Sequence, residues 1–218
     1  MSDEKNSFLK KEWALLVILV IPFIIIAFYW DVLPDQIPLH WNFKGEANRW
    51  GPKSSIFEIP LVNIGISLLL IFLPKIDPRK SNYELFPRAY RMVRLVLAAF
   101  LFSIFLIGIA PTAGLTINAT TFVFIALPLL FLVIGNFMRS FRQNFFAGIR
   151  TPWTLDNPIV WEKTHRLASW IWTGGSLLML IAVLLLGSST ALPYLFVIYI
   201  VLLTLIPIVM SYIYYKRI

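Results

Sequence analysis

The chain has 218 residues, of which 59% are hydrophobic and 14% are charged, and its formal net charge is +8. Typical soluble domains contain about 25% charged residues, and a soluble protein of this length could not bury so much apolar surface in one core. The absence of cysteine excludes disulfides, thiolate nucleophiles and cysteine-ligated metal sites. The composition therefore indicates an integral membrane protein.

Six continuously apolar stretches are long enough to cross a bilayer, for which a helix needs about 20 residues. They cover residues 13–30, 57–74, 95–111, 121–138, 167–186 and 192–213. Because hydrocarbon offers the backbone no hydrogen-bond partner, each stretch must be a helix, and none shows the alternation of a transmembrane β-strand. No small-residue cleavage site follows the first stretch, so we expect it to be retained. The prediction is an all-α bundle of about six transmembrane helices.

The distribution of Lys and Arg predicts the orientation of these helices. Sixteen of the 19 basic residues lie in the two termini and in the second and fourth loops, and the other side carries only Lys44, Arg49 and Lys53. Basic residues are enriched in cytoplasmic loops, so we expect both termini in the cytoplasm. The same distribution explains the net charge without nucleic acid, and it places the basic loops against anionic lipid.

The first loop, residues 31–56, is long and is expected to lie outside the cell. If residues 38–43 form a strand, His40 and Asn42 share one of its faces. The residues that follow are predicted to form a tight turn in which Gly45 adopts a positive φ. The loop is either an ordered binding surface or a set of aromatic residues that anchors it at the membrane interface.

The fourth loop, residues 139–166, is the long loop of the cytoplasmic side. Asn157 followed by Pro158 is typical of a helix start, with an N-cap side chain and then proline at the first helical position. On that helix, Trp161 and His165 are four residues apart and should face together. The segment is either the capped start of a membrane helix or a functional surface.

The sequence predicts no metal site, no cofactor and no enzymatic activity. The topology separates His40 from His165 by about 30 Å of hydrocarbon, so they cannot share an ion. Intramembrane enzymes and proton-driven carriers need ionisable groups at depth, and the predicted spans contain almost none. Their main polar side chains, Asn63 and Asn136, are interpreted as hydrogen-bonding groups between helices.

Two motifs resemble known protein families. The first looks like the DUF1648 module and comprises Leu33-Pro34-Asp35, Ile37-Pro38, His40-Trp41-Asn42, Gly45-Glu46 and Arg49-Trp50-Gly51. The second is similar to the signature of the SdpI immunity family and comprises Gly135-Asn136, Gly148-Ile149-Arg150-Thr151-Pro152-Trp153-Thr154-Leu155, Trp161 and Lys163-Thr164-His165-Arg166. The resemblance implies a multi-pass protein of the bacterial cell membrane that protects its host from a secreted, sporulation-delaying peptide toxin. In the best-known member, the protein also senses the toxin and holds a transcriptional repressor at the membrane.

The resemblance also suggests modules and site residues. Residues 1–74 would form a DUF1648-like module of two helices and the extracellular loop, and residues 75–218 an SdpI-like four-helix module with the cytoplasmic loop, together making one compact membrane domain. The expected toxin-binding residues of the extracellular loop are Asp35, His40, Trp41, Asn42, Glu46, Arg49 and Trp50. The expected signature residues are Asn136, Arg150, Thr151, Pro152, Trp153, Trp161, Lys163, His165 and Arg166. The signature would form either a cytoplasmic docking surface or part of a site buried among helices.

Two other functions stay open on the sequence. A small transporter or flippase-like protein is favoured by the similar layout of the two halves of the chain, each with three helices, which would make them an inverted repeat. An enzyme that acts on lipid would use His165 with Glu162 or Asp156, but no nucleophile or metal set accompanies these residues. The expected partners are membrane lipids, a secreted peptide toxin and a cytoplasmic repressor, without direct nucleic-acid binding. The sequence does not define the oligomeric state.

Overall fold

The structure is a computed structural model that describes residues 2–187 and 189–218. Within them the chain forms seven α-helices and one two-stranded antiparallel hairpin. The helices are α1 (Ser2–Tyr29), α2 (Glu58–Ile76), α3 (Pro87–Ile109), α4 (Ala119–Met138), α5 (Pro152–Asp156), α6 (Pro158–Leu186) and α7 (Leu192–Lys216). The strands are β1 (Gln36–Trp41) and β2 (Ala47–Pro52), and 3₁₀ turns cover Lys53–Phe57, Lys80–Leu85 and Ala110–Ala113.

Six of these helices, all except α5, are long and apolar enough to cross a membrane, which confirms the predicted helical membrane fold. Their outward surface is apolar, as at Leu184 and Leu185, which are 81% and 80% exposed. Helices α3 and α6 begin before their apolar stretches, at Pro87 and Pro158. Proline is favoured at a helix start because its fixed φ is helical and the N–H it lacks would be unpaired there.

The chain divides into two compact units. The first unit combines Met1–Leu68 with Leu97–Phe122, and the second combines Leu69–Val96 with Val123–Ile218. The division of the sequence into modules at residue 74 stays a prediction.

The core of the first unit lies between the hairpin and the helices. Its buried members come from α1, β1 and α3 and from the segments beside them, namely Ile26, Leu33, Ile37, Ile56, Phe105 and Ile109. The amide Nδ2 of Asn63 on α2 donates to the carbonyl of Ala98 on α3 at 3.0 Å, with Asn63 only 1% exposed. This bond is the interhelical contact that the sequence suggested for Asn63.

The second unit has two buried clusters. One is aromatic and lies around the fourth loop, with Tyr83, Phe86, Ala89, Tyr90, Phe141 and Trp161. The other joins α4, α6 and α7 through Phe124, Met179, Val183, Leu192, Tyr199 and Leu203. A Cβ at Gly135 would lie 2.6 Å from the Cβ of Trp172, so glycine is what lets α4 approach α6 this closely.

The adjacent residue in the signature, Asn136, behaves differently. Its side chain is exposed near the end of α4 and has no hydrogen bond within the part of the chain that the structure describes. The interpretation of Asn136 as a bond between helices is therefore wrong. Neighbouring residues of a helix point in different directions, and it is Gly135 that occupies the face of α4 that packs on α6.

Candidate functional site

The first loop folds as a β-hairpin. Strands β1 and β2 pair antiparallel, with Pro38 opposite Trp50 and His40 opposite Arg49. The register is irregular on both sides of His40, so the side chains do not alternate strictly from one face to the other. The strand ends at Trp41 rather than at Phe43, because the next residue, Asn42, already belongs to the turn.

Asn42 organises the hairpin turn. Its Oδ1 accepts the backbone N–H groups of Lys44 and Glu46 at 2.9 and 3.1 Å, and its Nδ2 donates to a carboxylate oxygen of Glu46 at 2.9 Å. Gly45 has a φ of +82°, which confirms the predicted glycine turn. The hydroxyl of Thr120 donates to the carbonyl of Asn42 at 2.8 Å, so the turn is also anchored to the first turn of α4.

The hairpin presents a mixed aromatic and charged surface. Trp50 is 55% exposed and Phe43 is 71% exposed. His40 and Arg49 are exposed beside them, and Nδ1 of His40 lies 2.7 Å from Oδ1 of Asn48. Of the other expected toxin-binding residues, Asp35 and Glu46 are exposed, whereas Trp41 and Asn42 are half-buried. Most of the expected residues are thus exposed, whereas Trp41 and Asn42 are part of the structure that supports them.

The base of the hairpin is tied to the end of α1. The backbone N–H of Lys53 donates to the carbonyl of Asp35 at 2.9 Å. The Lys53 ammonium lies 4.6 Å from the centre of the Trp30 ring, in cation–π geometry. With the turn anchored at one end and the strands at the other, the exposed surface is held on a fixed support.

In the second unit, the loop between α4 and α5 is shaped by Asn144, which is fully buried. Its Oδ1 accepts the N–H groups of Phe146 and Ala147 at 2.9 and 2.6 Å. Its Nδ2 donates to the carbonyls of Arg142 and Ala147 at 2.8 and 3.0 Å. One side chain thereby forms hydrogen bonds with four backbone groups of the loop and fixes its conformation.

His165 is buried beside that loop, with 1% exposure. Its Nε2 accepts the backbone N–H of Ile149 at 3.0 Å, so the ring proton is on Nδ1, which donates to the carbonyl of Trp161 at 2.8 Å. The rings of Trp161 and His165 stack with centroids 4.0 Å apart, as their spacing predicted. Both nitrogens are occupied, which leaves no lone pair of His165 for a proton transfer or a metal.

Threonines tie the short helix α5 to its surroundings. Thr151 caps α5 in a reciprocal capping box with Thr154, and Pro152 occupies the first turn. The Thr151 hydroxyl also lies 3.0 Å from that of Ser211 on α7. Trp153 packs on the Tyr212 ring at 5.0 Å, so this part of the signature is mostly turned toward α7.

A buried carboxylate, Asp77, was not expected from the sequence. It is 2% exposed and accepts the N–H groups of Arg79 at 2.7 Å and Phe145 at 2.9 Å, and the hydroxyl of Tyr83 at 2.9 Å. Burial and this hydrogen bond to Asp77 raise the pKa of Tyr83. The only signal in the sequence was a lone acidic residue, followed by Pro78, at the end of an apolar stretch.

The signature residues therefore separate by burial. Thr151, Trp161 and His165 are buried with Asn144, whereas Arg150, Pro152, Lys163 and Arg166 are exposed. Asn157 caps α6 as predicted, accepting the N–H groups of Ile159 and Val160.

The described residues contain no group of three or more His, Cys, Asp or Glu side chains that could hold a metal ion. The arrangement is suited to holding a loop and two helices in one geometry and to presenting basic side chains around it.

Comparison with known proteins supports both motifs. Residues 140–211 match the SdpI/YfhL protein family, and residues 17–64 match a domain of unknown function, DUF1648. The chain is 26% identical over 209 residues to a protein named Immunity protein SdpI from Bacillus subtilis (strain 168), which covers 96% of this chain and 98% of that protein. No solved structure gives a significant match. These matches confirm the resemblance that the motifs indicated.

Proposed function

We propose that this multi-pass cell-membrane protein, which is similar to the SdpI/YfhL family, is an immunity protein without enzymatic activity. It protects its cell from a secreted peptide toxin of the sporulation-delaying type. The observation that carries the proposal is the similarity to the Bacillus subtilis immunity protein over almost the whole length of both chains. A match confined to the membrane helices could reflect apolar composition alone, but this one also covers both long loops.

The hairpin is the toxin-contacting surface in this proposal. Its exposed residues, His40, Arg49 and Trp50, belong to types that dominate the binding energy of peptide interfaces or provide polar contacts beside them. Asn42 and the paired strands support the proposal because they fix this surface before a ligand arrives, which lowers the entropy lost on binding.

The proposal requires the hairpin to face the outside of the cell. The excess of basic residues in the other loops favours this orientation. Because the chain lacks cysteine, a single Lys44→Cys variant can be tested with a membrane-impermeant maleimide on intact cells. We expect labelling of Lys44→Cys, and labelling of an Arg142→Cys control only after the cells are made permeable. The reverse pattern would contradict the proposed orientation.

The second unit would serve signalling. The exposed residues Arg150, Lys163 and Arg166 lie on a support made rigid by His165 and Asn144, which suits a cytoplasmic surface that holds a transcriptional repressor when toxin is bound. Replacing Arg150 or Arg166 should then abolish the transcriptional response while leaving the protein in the membrane. His165 is buried, so its replacement should lower stability first.

Survival of toxin-sensitive cells tests the immunity function. Cells that express the chain, with membrane insertion confirmed, should survive purified sporulation-delaying peptide at concentrations that kill cells with an empty vector. Equal killing would contradict the proposal and favour the transporter or flippase alternative, which predicts movement of a substrate across proteoliposomes that contain the purified protein.

A further inference from the structure

The second unit contains a cavity of about 440 Å³ lined by Leu85, Arg139, Ser140, Arg142, Glu162 and Arg166. Three guanidinium groups and one carboxylate give this lining a net charge of +2. We propose that the cavity binds one phosphate group, either on an anionic phospholipid or as the free anion. This site is separate from the toxin-contacting hairpin and goes beyond the proposed immunity function, although it shares Arg166 with the proposed repressor-holding surface.

Arginine suits phosphate by the shape of its guanidinium group as well as by its charge. A guanidinium group presents a planar fork of N–H donors that matches two oxygens of a phosphate. Several arginines around one cavity repel each other, and a bound anion relieves that repulsion. Ser140 adds a neutral hydroxyl donor to the same lining. Glu162 is the opposing element, since its carboxylate repels a phosphate and offsets one of the arginines.

The backbone that carries these groups is held in place. The carbonyl of Arg142 accepts a hydrogen bond from Asn144, and the carbonyl of Phe141 accepts one from the indole of Trp161 at 2.9 Å. Asn144 and Trp161 are 0% and 2% exposed. Trp161 also immediately precedes Glu162, so both walls of the cavity are fixed by buried partners. A ligand therefore meets a site whose backbone needs little ordering.

The cavity residues lie at the ends of membrane helices, which is where lipid headgroups are expected. Arg139 directly follows Met138, the last residue of the membrane helix α4. Helix α6 has 29 residues, or about 43 Å at about 1.5 Å per residue, which exceeds the hydrocarbon thickness of about 30 Å. The first turns of α6, which carry Glu162 and Arg166, can therefore extend beyond the hydrocarbon. Basic pockets between membrane helices at this level bind anionic headgroups.

The direct test is native mass spectrometry of the purified full chain with equal amounts of phosphatidylglycerol and phosphatidylcholine. The wild type should retain phosphatidylglycerol preferentially. The triple variant Arg139→Gln, Arg142→Gln, Arg166→Gln should lose at least about tenfold in affinity. The matched control Arg88→Gln, Arg91→Gln, Arg217→Gln removes the same charge from exposed positions outside the cavity, and it should retain the lipid.

Two further arms separate the sources of phosphate and exclude misfolding. In the first, inorganic phosphate is added to the lipid-bound protein. If it displaces the lipid and also binds alone, the free anion is a ligand; if lipid binding is unchanged, the ligand is the headgroup. Glu162→Gln should strengthen binding several-fold, a gain that a misfolded variant cannot produce. Equal losses in the two triple variants, no loss in the cavity variant, or no gain in Glu162→Gln would overturn the proposal.

Discussion

The packing of His165 against Gly148 can be tested by a double-mutant cycle. Gly148 has a φ of +108°, and a Cβ built on it collides with Nε2 of His165. Two substitutions, Gly148→Ala and His165→Ala, are made singly and together. If the ring of His165 occupies the space beside Gly148, the two substitutions must interact, because His165→Ala removes the atom that the new methyl group would meet.

The magnitudes follow from four contributions. Alanine at this positive φ costs about 1–3 kcal/mol, and forcing its methyl group against the imidazole costs about 1–3 kcal/mol more. His165→Ala leaves the N–H of Ile149 without its acceptor, for about 1–3 kcal/mol, and removes the buried ring as well. In the double variant, Gly148→Ala costs only its backbone strain, because the imidazole is gone. The loss of unfolding free energy in the double variant should therefore be about 1–3 kcal/mol smaller than the sum of the two single losses.

The measurement is the free energy of unfolding in mixed detergent micelles, followed by tryptophan fluorescence. Gly114→Ala provides the matched control, because Gly114 has a φ of +73° but no atom within 4 Å of the added Cβ. Its effect should add to that of His165→Ala. Additivity within about 0.5 kcal/mol for Gly148→Ala with His165→Ala would refute the packing.

Other polar contacts give smaller but measurable effects. Asp77→Asn should lower the free energy of unfolding by about 1.5–3 kcal/mol, because an amide oxygen cannot replace a carboxylate that accepts three hydrogen bonds. The exposed control Asp156→Asn should change the free energy of unfolding by less than about 0.5 kcal/mol. Burial raises the pKa of Tyr83 above the value of about 10 for an unfolded tyrosine. The stability that depends on its protonated form is therefore complete below about pH 10 and falls as the pH rises further, and Tyr83→Phe should reduce that alkaline loss in a pH series. Asn42→Ala should speed amide hydrogen exchange at Lys44 and Glu46 roughly tenfold, since it removes their shared acceptor, and unchanged exchange would contradict that role.

Local signals in the sequence predicted much of this fold. The apolar stretches identified the membrane helices because a spanning helix must satisfy its backbone internally and face lipid outside. Asn157 with Pro158 marked the start of α6, since the cap bonds are made within three residues. Gly45 marked the hairpin turn for a similar reason, as its backbone conformation is set by the turn itself.

Contacts between distant parts of the chain could not be read in the same way. The carboxylate of Asp77 accepts the N–H of Phe145, and Asn82 donates to the carbonyl of Gln143. Nothing local in either segment specifies such a partner. The burial of single polar residues could not be predicted either. Asn144 is a residue type that is common in surface loops, but its side chain is fully buried. The register shifts beside His40 likewise depend on how two strands pair rather than on either strand alone.

The most direct measurement of the central claim is survival of sensitive cells across a range of concentrations of the sporulation-delaying peptide. It compares the wild type with Trp50→Ala in the hairpin and with Trp170→Ala, whose side chain on α6 is also exposed, at 73%. The wild type and Trp170→Ala should protect. Trp50→Ala should fail at a peptide concentration roughly 30-fold lower, as expected for loss of a dominant contact of about 2 kcal/mol. No protection by the inserted wild type would contradict the immunity function, and equal protection by both variants would contradict the role of the hairpin.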